Sequence, residues 1–274
     1  MSSQLRSSLR RLAMASALSL LLTSMPARAQ QGWTDKDTRL ANEYLSLLVE
    51  QPEYGRVVDL LWDLYQKRDS TALLLENIRS QAATSGHPSV LLVEAHLVRR
   101  SGDTRRAAEL YDAILKQQPA DIPTLRARGD LALEMGDTSV ALNSLMKLLN
   151  ALPDGDASKP ATWMQLGDLT LVSGRPEDAA NAWESALKLA PEDATLARTV
   201  AQHLLRAGYP ERAAAPLEKL AQQQDPTKRL EALADLSRIH EHADQSVKAD
   251  EAIRKALALL DFRDARYFQL LQRR

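Results

Sequence analysis

The sequence predicts an all-α protein, a right-handed α-solenoid built by stacking helical pairs. Three observations carry this. A schedule of small, large and breaker residues recurs with a spacing of 34 over five units. Each recurrence holds two amphipathic segments of about 12 to 14 residues, too short to be stable alone in water. Glycines and prolines punctuate the segment ends, with one exception at Pro216. Such a repeat buries its apolar faces against its neighbours rather than in one central core.

The first segment, residues 1–29, is expected to be a secretory leader. Arg6, Arg10 and Arg11 precede an apolar run at 12–25, no acidic residue occurs before Asp35, and Ala27-Arg28-Ala29 supplies a cleavage signal. The run is shorter than the roughly 20 apolar residues of a membrane span. Cleavage is therefore expected rather than retention as an anchor, leaving no membrane span. The flanks of Arg10-Arg11 do not fit a twin-arginine signal, so ordinary export to the periplasm or medium is the expectation. Residues 30–87 are assigned to an N-terminal helical cap. Within it, 57–84 has the length of a helical pair but lacks small crossing residues, which makes it a degenerate repeat.

Five units follow, at 88–121, 122–155, 160–193, 194–227 and 230–263. Position 8 is small in the first four (Ala95, Gly129, Gly167, Ala201), and position 20 is alanine in all five (Ala107, Ala141, Ala179, Ala213, Ala249). Small residues there let the two helix axes approach to the close end of the packing range. Position 24 carries Tyr111, Leu145, Trp183 and Leu217, large enough to fill the gap toward the next pair. Gly102, Gly136, Gly174 and Gly208 are expected to end first helices in a left-handed backbone. Asp103 and Asp137 are placed to cap second helices, and Pro176 and Pro210 to sit in first turns. Pro119, Pro153 and Pro191 close second helices. In the fifth unit Asp244 replaces the turn glycine. Pro216 falls inside a second helix, where proline costs roughly 3 kcal/mol; a kink is expected, followed by a loosened connection at 222–226. Residues 264–274 suit one more helix, capping the fifth unit or starting a sixth.

The order Trp163, Gly167, Ala179, Trp183, Ala186, Pro191 resembles the tetratricopeptide repeat, and the resemblance covers 88–263. The chain resembles the arrays of exported bacterial proteins of that family. The resemblance implies a concave groove lined by first helices, chiefly through positions 2, 5, 9, 12 and 13, with a protein or peptide partner held in it. Carried over by position, the first unit offers Leu92, His96 and Arg99, and the second Arg126, Asp130 and Leu133. The third adds Met164, Asp168 and Leu171, and the fourth Arg198, Gln202 and Leu205. Arg238 and Glu241 follow in the fifth. For Leu133, Leu171 and Leu205 an apolar stripe facing the core is an equal alternative. The lysine and asparagine pattern by which some relatives clamp a C-terminal carboxylate is absent.

Catalytic and metal constellations do not emerge. There is no cysteine, which removes disulfides, thiolate nucleophiles, zinc knuckles and iron–sulfur clusters. Of the five histidines, His240 and His242 are two apart on a predicted helix and point to different sides. No H-x-x-x-H pair, G-x-S-x-G or phosphate-cradling glycine loop occurs. No metal, no cofactor and no enzymatic activity are expected. The formal charge of −1, or −5 without the first 29 residues and their four arginines, makes nucleic acid an unsuitable partner. The run 99–106, "RRSGDTRR", is expected to be a solvated turn. The resulting expectation is an exported, non-catalytic protein-interaction scaffold. Its alternative is a self-associating envelope scaffold using the C-terminal helix, or part of a longer array.

Overall fold

The computed structural model describes residues 33–260 and the isolated positions 264, 266, 269 and 272. The expected leader lies outside the described residues, and so does most of the expected C-terminal helix. Among the described residues there are thirteen helices and no strand. The described residues form two compact units that divide after Ala151.

The first unit holds α1 (Asp35–Glu50), α2 (Arg56–Gln66), α3 (Thr71–Ser85), α4 (Pro88–Arg100), α5 (Thr104–Gln117), α6 (Ile122–Glu134) and α7 (Thr138–Ala151). Helix α1 begins at a capping box, in which Thr34 accepts from the Asp37 N–H and the Asp37 side chain accepts from the Thr34 N–H. Its apolar face, Leu45 and Leu48, joins Val58, Leu61, Tyr65, Val93 and Leu97 in one buried cluster. Helices α1 and α2 therefore both lie against α4, and the degenerate stretch forms the pair α2–α3. Asp103 and Asp137 cap α5 and α7 by accepting the N–H of Arg106 and Val140 at 3.0 and 3.1 Å.

The second unit holds α8 (Lys159–Val172), α9 (Pro176–Leu189), α10 (Ala194–Arg206), α11 (Pro210–Leu220), α12 (Pro226–His242) and α13 (Ser246–Leu257). Successive helices pack antiparallel in pairs, and each pair leans on the next. Pro176 and Pro210 occupy first helical turns. Gly102, Gly136, Gly174 and Gly208 take φ between 74° and 93°, and Asp244 takes φ 55° at the same point of the last pair. The left-handed backbone is thus required by the turn itself, glycine or not.

Two local expectations shift. Helix α11 continues through buried Pro216 but has 11 residues against 14 in α9. Helix α12 starts at Pro226, four residues before the expected boundary of the fifth unit. The reason is the Asp225 carboxylate, which accepts from the N–H groups of Thr227 and Lys228 at 2.9 and 3.3 Å. The stretch expected to be loose ends in a helix cap.

Candidate functional site: the exposed faces of the first helices

In the first unit, the face of α4 expected to line a groove is covered. Leu92, His96 and Arg99 are buried. The turn between α1 and α2 crosses them, because α1 is anchored on α4 by Leu45, Leu48, Val93 and Leu97. The Pro52 carbonyl lies 3.2 Å from His96 Nε2, and the Tyr111 hydroxyl 2.7 Å from Nδ1. A carbonyl can only accept, so Nε2 carries the ring proton and Nδ1 accepts from Tyr111. Burial holds this histidine down at a pKa of about 4 and pushes the Tyr111 hydroxyl up. The Arg99 guanidinium sits 3.8 Å from the Tyr54 ring centroid and donates through Nε to Glu134 at 3.1 Å.

Leu92 and His96 therefore serve packing, not an open groove. The basic run is no free patch either: Arg100 pairs with Asp59 at 2.6 Å and Arg106 with Glu109 at 2.9 Å. On α6, by contrast, Arg126, Asp130 and Leu133 are exposed. Partial removal from water holds the Asp130 carboxyl above the usual carboxylate range, with Arg99 and Arg126 pulling the other way.

In the second unit the first helices α8, α10 and α12 are joined by two separate polar clusters, one between α8 and α10 and one between α10 and α12. Gly167 explains how the first is built. A Cβ at this position would stand 2.3 Å from Trp183 Nε1, so the bare backbone lets the buried indole pass over α8 and donate to Asp168 at 3.0 Å. The same carboxylate oxygen lies 3.1 Å from His203 Nδ1 on α10, and the indole and imidazole centroids are 5.0 Å apart. One helix further, Arg198 donates to Asp235 and Glu231 of α12, both at 2.7 Å, and Asp235 also takes Arg238 at 2.6 Å. Arg198 and Arg238, both expected to line the groove, are tied to carboxylates of α12. Gln202 is exposed, while Met164, Leu171 and Leu205 are partly buried against the core of the unit. Leu171 and Leu205 thus take both roles, half core and half surface.

His203, Glu231 and Asp235 were not among the expected site residues, although a signal for two of them exists. A charged side chain at one position meets its partner one position further along in the next repeat. Arg99 and Glu134 are 35 residues apart, as are Asp168 and His203, and Glu177 and Arg212 on the second helices. Arg198 and Asp235 are 37 apart because two residues are inserted between those units. The offset of one beyond the period is the stagger between stacked pairs.

The residues at the helix crossings complete the picture. Ala95, Ala107, Ala141, Ala179, Ala186, Ala201 and Ala213 are at most 1 % exposed, Ala249 is buried, and Gly129 faces the Cβ of Ser144 at 3.3 Å. The tetratricopeptide repeat family model matches residues 164–228, the segment in which this packing and the Gly167–Trp183 crossing occur. Residues 164–228 are tetratricopeptide repeats. Among relatives, tetratricopeptide repeat protein 21B of Mus musculus is 25% identical over 167 residues, 61% of this chain and 12% of that protein. Cellulose synthase 2 operon protein C of Komagataeibacter xylinus is 35% identical over 65 residues, 24% of this chain and 5% of that protein. The chain thus spans about a tenth or less of the length of these relatives. Among solved structures, the C-terminal part of a repeat-containing protein from Cytophaga hutchinsonii superposes with a TM-score of 0.52 at 16% identity, covering 86% of this chain and 95% of that one. The likeness shows an all-α helical solenoid. No helix among the described residues is long and apolar enough to cross a membrane.

Proposed function

We propose that this protein is an exported, non-catalytic interaction module that holds a peptide or helix of a partner protein along the first helices of its second unit. The observation that carries this reading is a pair of tied clusters on these helices: Asp168 with His203 between α8 and α10, and Arg198 with Asp235 and Glu231 between α10 and α12. Charged groups held this way on a surface have already lost their rotamer freedom, so a ligand meets them at a lower ordering cost. Met164, Leu171 and Leu205 beside them supply apolar contact, and the exposed Asp168, Gln202 and Arg238 supply orientation. Arg126, Asp130 and Leu133 form a corresponding exposed set on α6 of the first unit. The charged start, apolar run and small-residue signal at 1–29 support export. A reaction would need a nucleophile, a base and a place for a reacting atom; the exposed face supplies ion pairs and half-covered leucines instead.

Gln202→Trp tests the reading, because Gln202 is exposed and its replacement leaves the tied pairs intact. The full chain and this variant, with equal melting temperatures, are used for affinity capture from a bacterial envelope extract. A partner retained by the parent and lost by the variant supports the groove. Equal capture by both, or recovery of only further copies of the bait, sinks it and leaves self-association. N-terminal sequencing of the protein recovered outside the cytoplasm checks export, with Gln30 expected as the first residue.

A further inference from the structure

The sequence contains one Asp-Gly pair, Asp154-Gly155, in the segment that leads from Leu152 into α8. The surroundings of this pair favour one reaction, closure of an imide ring by the Gly155 nitrogen on the Asp154 side chain. The Asp154 side chain is fully exposed. The Gly155 N–H donates to no acceptor among the described residues, so its nitrogen is uncommitted. Even a Cβ at Gly155 would meet nothing within 4 Å, so the approach to the nitrogen is uncrowded. Gly155 has φ 81°, in a turn closed by the Asp156 N–H donating to the Pro153 carbonyl at 3.2 Å. Glycine passes between its conformers there at little cost. The Asp154 ion pair, to Lys159 at 3.0 Å, joins a carboxylate that stands in water, where the attraction is weak and screened by salt.

Other aspartates at helix starts and turns are held back. Asp103 and Asp137 are committed to caps. The N–H that follows each, of Thr104 and Thr138, donates to the Gly102 and Gly136 carbonyls at 2.9 and 3.1 Å. Asp225 precedes Pro226, which has no N–H. Asp156 accepts from the Ser158 N–H and hydroxyl at 2.8 and 2.6 Å. Of these, Asp154 alone joins a carboxyl in water to an uncommitted nitrogen.

We infer that Asp154-Gly155 is a self-modification site, at which the peptide bond migrates from the α- to the β-carboxyl of Asp154 and loosens the start of α8. The Gly155 nitrogen attacks Cγ of the protonated side-chain carboxyl. The nitrogen's proton and the carboxyl's hydroxyl leave together as one water, and an imide remains. Water then re-enters. Attack at the Asp154 main-chain carbonyl breaks the original C–N bond, leaving the β-linked chain and a free α-carboxyl; attack at Cγ restores the original chain. The water lost is the water regained, so no other reactant is needed. The β-linkage puts one more atom into the main chain between Pro153 and Asp156, which spoils the geometry of the hydrogen bond that closes the turn. Asp156 in turn orients Ser158, whose carbonyl takes the Thr162 N–H at 3.0 Å in the first turn of α8.

The full chain is held for weeks in mildly acidic buffer beside Asp154→Glu and Gly155→Ala, then digested and separated with mass detection. Both positions are exposed. From the parent, the peptide spanning Asp154 is expected to yield a product of unchanged mass and altered retention, with a companion lighter by one water. A carboxyl methyltransferase specific for isoaspartate, given a radiolabelled methyl donor, labels that product. Asp154→Glu is expected to abolish it, because a side chain one methylene longer closes a larger ring far more slowly. Gly155→Ala lowers the yield severalfold, because a methyl then crowds the nitrogen. Hydrogen exchange in the first turn of α8 is expected to be faster in the modified protein than in the fresh one. A parent peptide that stays unmodified overturns the inference. Equal methyl labelling of Asp154→Glu does so too, since it moves the reaction to another aspartate. A modified protein with unchanged exchange at Thr162 overturns the coupling to α8. If Gly155→Ala does not fold, the parent and Asp154→Glu decide.

Discussion

Gly167 and Gly129 occupy the same position of consecutive repeats, yet their surroundings differ by about an ångström. A methyl at 167 collides with the Trp183 indole at 2.3 Å, whereas one at 129 meets only the Ser144 Cβ at 3.3 Å. Gly167→Ala is expected to destabilise by about 1–3 kcal/mol through overpacking and to detach the indole from Asp168. Gly129→Ala should stay within about 1 kcal/mol of the parent, because alanine's helix propensity gains roughly that amount against a small local shift. Urea unfolding of both variants checks the contrast, and equal losses would contradict it. His96 allows a test by pH. Buried between Pro52, Tyr54, Arg99 and Tyr111, it titrates near 4 instead of 6.5. As pH falls below 6.5 the unfolded chain takes up a proton that the folded chain refuses until about 4, so stability present at neutral pH is lost across that window. The slope is about 1.4 kcal/mol per pH unit and the full loss about 3 kcal/mol. Glu94 and Asp130, both raised by burial, work in the opposite sense at the acid end. The difference between parent and His96→Gln isolates the histidine: their gap in unfolding free energy should narrow from pH 7 to 5, and a constant gap rules the account out.

At the scale of single helices, α11 is the departure from the pattern. The helix is 11 residues long and its interior proline removes a hydrogen bond, while the buried pyrrolidine ring recovers part of that cost through contact. Pro216→Ala is therefore expected to raise the melting temperature of the second unit, by about 1–2 kcal/mol of stability out of the roughly 3 kcal/mol an interior proline costs. A drop instead would mean that ring packing outweighs the missing bond. Helix α12 teaches the complementary lesson. It starts four residues before the boundary that the repeat spacing predicts, because the Asp225-Pro226 cap outweighs the spacing.

At the scale of the second unit, packing runs between neighbours: α8 with α9, α9 with α10, and so on to α13, with α10 and α12 also touching. Stability in such an array is a sum of local and nearest-neighbour terms. Hydrogen exchange on Gly167→Ala should accordingly rise most in α8 and α9, less in α10, and least in α12 and α13. Uniform acceleration from α8 to α13 would show that the unit opens as one body and that the nearest-neighbour description fails.

The sequence by itself determined the helical pairs, the crossing residues and the turns, because each depends on local backbone chemistry or on a periodicity read along the chain. Gly174 and Gly208 bend where a left-handed residue is cheapest, Asp103 caps where it stands beside a first turn, and Ala179 recurs where two axes cross. Tertiary structure alone decided which of the expected surface residues are surface. Nothing in the spacing of Leu92 and His96 tells that α1 packs on α4 and carries Pro52 and Tyr54 across them, since α1 lies outside the repeat and its register has no period to follow. Nor does position reveal that Arg198 and Arg238 share Asp235, because an ion pair requires distance between helices, which depends on the stagger of one repeat on the next.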